Sequence, residues 1–148
     1  MKASEIKKDI LKKMPKAVRV VQEKVHDVCT KFLNVFYGEY DPYVAIRTYQ
    51  VFNSLVKSDI RSTGNGFEAD VYFDLSALNH PSSYMGQNGM MVHRNWSESE
   101  IMSSVMTGST HGGAVGGTPV FTEADAQVAV KARQWLAQEL RAAGIPIR

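Results

Sequence analysis

Residues 56–75, VKSDIRSTGNGFEADVYFDL, decide the fold class. Phe67, Ala69, Val71, Phe73 and Leu75 alternate with Glu68, Asp70, Tyr72 and Asp74. In a strand, successive side chains point to opposite faces, so this alternation reads as a strand with one buried and one wet face. Upstream, Val56, Ser58 and Ile60 alternate with Lys57, Asp59 and Arg61. Between the two runs lies Ser62-Thr63-Gly64-Asn65-Gly66, whose residues tolerate the positive φ of a tight turn. The stretch predicts an antiparallel hairpin.

Helical patterns flank it. From Ile6 to Phe36 the apolar residues Ile6, Ile10, Met14, Ala17, Val18, Val21, Val25, Val28, Cys29, Phe32 and Phe36 recur at spacings of three and four. That is one stripe of an amphipathic helix over 4–37, with lysines on the other side. Ser4 can cap its start. Pro15 lacks an amide proton and should kink the helix or begin a second one. Gly38 stands where a helix C-cap is expected. At the other end, Ala124, Val128, Ala132, Trp135, Leu136 and Leu140 form a second stripe, opened by Thr122 with Asp125 and closed by Gly144 and Pro146. Residues 47–55 read as a helical piece running into a strand. Ser97-x-x-Glu100 is a capping box opening a short helix that ends at Gly108. The fold expected is α+β, one domain over 1–148, with both amphipathic helices packed on a small antiparallel sheet built around the 56–75 hairpin.

Two segments lack a period. Residues 76–96 read as a long loop with one short strand around 90–93. Residues 108–118 hold five glycines in eleven positions, too many for a regular element. Pro119-Val120-Phe121 could add an edge strand.

Composition bounds the function. The chain has 148 residues, 44% hydrophobic and 22% charged, in the range of folded domains. No apolar run approaches the roughly 18 residues of a membrane helix. MKASEIKKDILKKM has no signal-peptide core, so secretion by that route is not expected. One cysteine, Cys29, forms no internal disulfide and reads as a small core residue. Charge is uneven: residues 1–31 hold nine basic and four acidic side chains, the rest eight and eleven. Lys7, Lys8, Lys12 and Lys13 are therefore candidate contacts to an acidic partner or DNA. The aromatic residues of a single-strand groove are missing from this segment.

Catalytic patterns are sparse. His26, His80, His93 and His111 have neither the spacing nor the companions of a zinc site. The glycine-rich loop has no lysine and matches neither a Walker loop nor a dinucleotide fingerprint. Glu68, Asp70 and Asp74 follow from strand alternation. No catalytic residue, cofactor or metal is expected. The most unusual local composition is Tyr37, Tyr40, Tyr43 and Tyr49 around Asp41-Pro42, with Arg47. Tyrosine and arginine favour interfaces, and they also cap cores; both readings stand.

The order of these features, with Tyr37…Tyr40-Asp41-Pro42…Tyr43…Arg47-Thr48-Tyr49 before the hairpin and His111-Gly112-Gly113 before the last helix, resembles small neck proteins of long-tailed bacteriophages and prophages. These are the tail-completion, head–tail joining or minor capsid proteins. The resemblance implies a non-enzymatic virion subunit at the head–tail junction or tail end. It implies a ring-like homo-oligomer with other neck, portal or tail proteins as partners and packaged DNA nearby, and no membrane. Its location would be the virion, and the bacterial host cytoplasm during assembly. The interface residues it suggests are Tyr40, Tyr43 and Arg47, then His111, Gly112 and Gly113, then Tyr84 and Met85 at a loop tip. Two alternatives are a nucleic-acid-binding protein using the basic helix, and a small hydrolase or metal enzyme using His80, His93 or His111.

Overall fold

A single helix, α1 (Ala3–Glu39), forms the spine of the molecule. Its 37 residues extend about 55 Å at 1.5 Å per residue. The computed structural model describes residues 2–39, 50–78, 80–107 and 120–147. After α1 come α2 (Gln50–Ser54) and four short strands, β1 (Leu55–Lys57), β2 (Arg61–Thr63), β3 (Gly66–Glu68) and β4 (Val71–Phe73). A 3-10 turn (Leu75–Ala77), β5 (His80–Met85), β6 (Met91–Trp96), α3 (Glu98–Thr107) and α4 (Val120–Ala142) complete the order. The architecture is α+β.

Pro15 does not begin a second helix: α1 runs through it as one element. Its ring costs the Leu11 carbonyl one helical hydrogen bond. Leu11 is 43% exposed, so water can take that bond. On the other side, Met14 and Ala17 pack with Leu140 and Ile145 and hold the turn in place. Gly38 likewise lies inside the last turn of α1 rather than capping it.

The 56–75 hairpin is present, with a break in its ladder. β1 pairs with β4 (Val56 opposite Tyr72) and β2 with β3 (Ser62 opposite Phe67). Between the two ladders Ser58 N–H donates to the Asp70 carbonyl at 3.0 Å. Asp59 and Ile60 then oppose Ala69 alone, which is a β-bulge and bends the hairpin over α1. On the wet face Arg61 Nε donates to Glu68 at 3.1 Å, and its Nη2 to Asp70 at 2.5 Å.

Two separate apolar clusters sit along the spine. Leu33, Phe36 and Tyr37 of α1 pack with Val51, Leu55 and Leu78 at one end. Ala17 packs with Leu140 and Ile145 at the other. Tyr37 meets Phe36 and Phe52 edge-on, with ring centroids 5.6 and 6.3 Å apart. α4 lies chiefly against α1 and also touches α3. Its end is a Schellman motif: Ile145 N–H donates to Leu140 O, Gly144 N–H donates to Arg141 O, and Gly144 has φ of +81°. Its start is Val120, so Thr122 is helical rather than a cap, and Val120-Phe121 is not an edge strand. The Ser97 capping box forms as expected: Glu100 N–H donates to Ser97 Oγ at 3.3 Å, and Ser97 N–H donates to Glu100 Oε2 at 2.9 Å.

The expected long loop over 76–96 is instead a second hairpin, β5–β6, paired from His80–Trp96 to Met85–Met91. Gly86 N–H continues the ladder to Met90 O at 2.8 Å. The loop is thus Gln87-Asn88-Gly89, with Gly89 N–H donating back to Gly86 O. Gly89 has φ of +74°, the left-handed residue that a three-residue hairpin loop uses. Pro81 is tolerated because both strands of a two-stranded sheet are edges.

Candidate functional site

Three features of the surface stand out. The first is the β5–β6 hairpin. Its strands pair with each other and, among the described residues, touch the other elements only marginally. A two-stranded sheet alone in water is marginally stable and gains from being covered. Met90 and Met91, beside its turn, are 66% and 53% exposed. Unbranched thioether side chains at such a position suit an adaptable apolar contact.

The second feature is a trough between the hairpin of β1–β4 and α4, floored by α1. Its larger part, about 410 Å³, is lined by Val18, Val21, Gln22 and Val25 of α1, by Phe67, Ala69 and Val71, and by Ala132 and Leu136. A smaller part, about 130 Å³, adjoins it through the shared Val25 and Val71 and reaches Cys29 and Phe73. Glu68 and Arg133 are its charged lining residues in the larger part. Burial pushes the Cys29 thiol pKa up, which fits its reading as an unreactive core side chain.

Gln22 gives this trough its polar centre. It is 4% exposed, and its Nε2 donates to Ser58 O at 2.9 Å and to Asp70 O at 2.8 Å. The two carbonyls fix the amide orientation, since only the nitrogen can donate to both. Oε1 is buried and has no donor among the described residues. Gln22 therefore clamps the bulged region of the hairpin to α1 while presenting one unfilled acceptor. The sequence signal for it was a polar residue inside the apolar stripe, three before Val25 and four after Val18.

The third feature is the basic face of α1. Lys13 is engaged by Asp9 at 2.7 Å, four residues earlier. Lys7, Lys8 and Lys12 are exposed. Lys16 and Arg19, which the sequence reading did not single out, are exposed as well. Further along, Lys57 donates to Glu23 at 2.6 Å and holds that carboxyl below its usual pKa.

The remaining residues expected at interfaces fall as follows. Tyr40, Tyr43, Arg47, His111, Gly112 and Gly113 lie outside the described residues. Tyr84 and Met85 lie on β5, at the end of the ladder next to the turn, rather than at a loop tip. His93 is exposed on β6, opposite Ser83 in the middle of the ladder, whereas His80 opens β5 at the end of the ladder far from the turn. Among the described residues no three His, Cys, Asp or Glu side chains converge as metal ligands. No helix among them is long and apolar enough to cross a membrane. Comparison with protein-family models, curated proteins and solved structures gives no match.

Proposed function

We propose that the chain is a structural assembly subunit, of the kind found at the head–tail junction or tail end of a long-tailed phage or prophage, and not an enzyme. The observation that carries the reading is the β5–β6 arm: a two-stranded hairpin that the other described elements barely touch, with Met90 and Met91 exposed. The open apolar trough beside α4 supports it, because a neighbour that filled the trough would bury half-exposed Phe67, Val71 and Phe73. The order of elements and the Tyr37–Tyr49 segment supply the resemblance to neck proteins. On this reading copies of the chain meet through unlike surfaces, the arm of one against the body of the next, with a rotation between neighbours that closes the head-to-tail series into a ring. Other neck, portal or tail proteins would stack on the ring, in the virion and, during assembly, in the bacterial cytoplasm.

Light scattering on a sizing column over a concentration series tests this, with Met90→Lys/Met91→Lys beside the native chain. The expected result is a discrete oligomer, ring-shaped in negative stain, that the double variant no longer forms while keeping its helical circular dichroism. A monomer at every concentration, or an oligomer the variant forms equally well, refutes the proposal.

A further inference from the structure

We propose that one face of α1, the ridge Lys8–Lys12–Lys16–Arg19, binds the phosphate backbone of duplex DNA without reading its sequence. This inference is independent of the assembly reading. It rests on which cations have no ion-pair partner among the described residues.

Spacings of four, four and three keep these residues on one side of a helix, and the ridge runs about 16 Å along the axis. All four are exposed. The opposite side of the same stretch is fixed, because Ile10, Met14 and Ala17 pack on Leu140 and Ile145. The ridge is thus held rigid by the packing behind it, which lowers the entropy lost on binding. Lys7 lies round the helix from it, and Lys13 is paired with Asp9.

Three of the carboxylates near the ridge make their ion pairs with other cations. Asp9 holds Lys13, Glu23 holds Lys57 and Glu139 holds Lys24 at 3.2 Å. Glu5 accepts the Lys2 backbone N–H at 2.9 Å and keeps its charge one turn before Lys8, and Glu23 also feels Arg19 one turn away, so one carboxylate flanks each end of the ridge without an ion pair to it. None of the four ridge cations makes an ion pair with a described residue. Their charge faces solvent, in a line.

Chemistry then selects the partner. An amphipathic helix that binds a membrane inserts its apolar face, and here that face is already packed on α4. A single-strand binder stacks bases on aromatic side chains, and the ridge has none. Duplex DNA carries about one charge per 1.7 Å of axis, so a 16 Å line of cations always meets phosphates whatever the sequence. Phosphate contacts of this kind position a duplex and do not specify bases.

The test is fluorescence anisotropy of a labelled mixed-sequence duplex of about 25 base pairs, titrated with the full chain from 50 to 200 mM salt. Four phosphate contacts give a slope of log affinity against log salt of about −3.6, a loss of about 150-fold over that range. Each single change, Lys8→Gln, Lys12→Gln, Lys16→Gln or Arg19→Gln, should flatten the slope by about 0.9, so the result does not depend on a quadruple variant folding. Lys13→Gln should leave it unchanged. A slope near zero in the native chain overturns the proposal. So does a slope the four variants keep, or tighter binding to the single strand or to vesicles of anionic phospholipid than to the duplex.

Discussion

Gln22→Met tests the clamp at the centre of the molecule. Methionine matches glutamine in length and leaves the packing of α1 against the hairpin in place. What is lost is the pair of hydrogen bonds to Ser58 O and Asp70 O. The two carbonyls are not equivalent. Asp70 O keeps the Ser58 N–H at 3.0 Å, whereas Ser58 O depends on Gln22. Losing the bond to the first costs about 1 kcal/mol, and baring the second inside the fold costs about 1–3 kcal/mol. Removing the donorless Oε1 returns about 1 kcal/mol of that. The net is a destabilisation of about 2 kcal/mol, or about 4–8 °C in Tm for a chain of this size. Urea melts followed by circular dichroism measure it. A midpoint within about 0.5 kcal/mol of native would show that the hairpin is held by its apolar face alone. Gln22→Glu adds a signed control. A carboxylate there faces two carbonyl oxygens in a buried site, so the folded pKa must rise above its unfolded value of about 4.3. Its stability is then fully present below that value and lost as pH rises through the folded pKa. A deficit independent of pH from 4 to 8 would mean that the site is wet, and the argument from burial would fall.

Gly144→Ala forces a side chain into φ of +81° at the end of α4 and should cost about 1 kcal/mol in chemical denaturation. Ser97→Ala removes the oxygen that receives the Glu100 N–H and leaves the backbone N–H of residue 97 to donate to Glu100 Oε2, lowering α3 protection in hydrogen exchange by about 1 kcal/mol. Gly86→Val drives a Cβ to 3.0 Å from Asn88 Oδ1 and 3.3 Å from Met90 O, so amide protection should drop throughout β5–β6 and stay native in α1. Lys57→Met releases the Glu23 carboxyl, whose NMR-detected pKa should move up. With the pair intact, its contribution to stability is present above the unfolded carboxylate pKa and fades as pH falls through the depressed folded value.

What the sequence disclosed was whatever a local period could carry. The alternation of Phe67, Ala69, Val71 and Phe73 located the first hairpin, and the stripe from Ile10 to Phe36 located the spine. Ser97 with Glu100, and Gly144 with Pro146, marked helix ends because capping is chemistry within a few residues. Pro15 begins no second helix because tertiary packing of Met14 and Ala17 outweighs one lost backbone bond. The second hairpin was missed because Pro81-Ser82-Ser83 and Arg94-Asn95 have low strand propensity and no alternation. Its signal was confined to Asn88-Gly89, the pair that makes the turn. Gln22 was illegible for a different reason. Its partners are 36 and 48 residues away in sequence, and only the bulge brings Ser58 O and Asp70 O to it. The ridge was half visible. Counting charge singled out residues 1–31, but only the structure shows that Lys13 is engaged by Asp9 and Lys24 by Glu139.

The division of α1 into two packed ends explains how one small chain can carry two kinds of surface. The cluster at Leu33, Phe36 and Tyr37 secures the hairpin, α2 and the 3-10 turn, whereas the one at Ala17 secures only the end of α4. Between them the floor of the trough is apolar but only half covered, so stability there depends on Gln22 and on whatever fills the space above Val21 and Val25. The ridge, by contrast, lies on the far side of the N-terminal half, where charge and not burial governs. A change at Met90 or Met91 alters neither the Ala17 cluster nor the ridge, and a change at Lys12 or Lys16 alters no contact of the arm. Assembly and DNA binding should therefore fail separately. If Lys12→Gln also abolished oligomer formation, the ridge would itself be part of the subunit contact, and an acidic surface on the neighbour would replace duplex DNA as its partner.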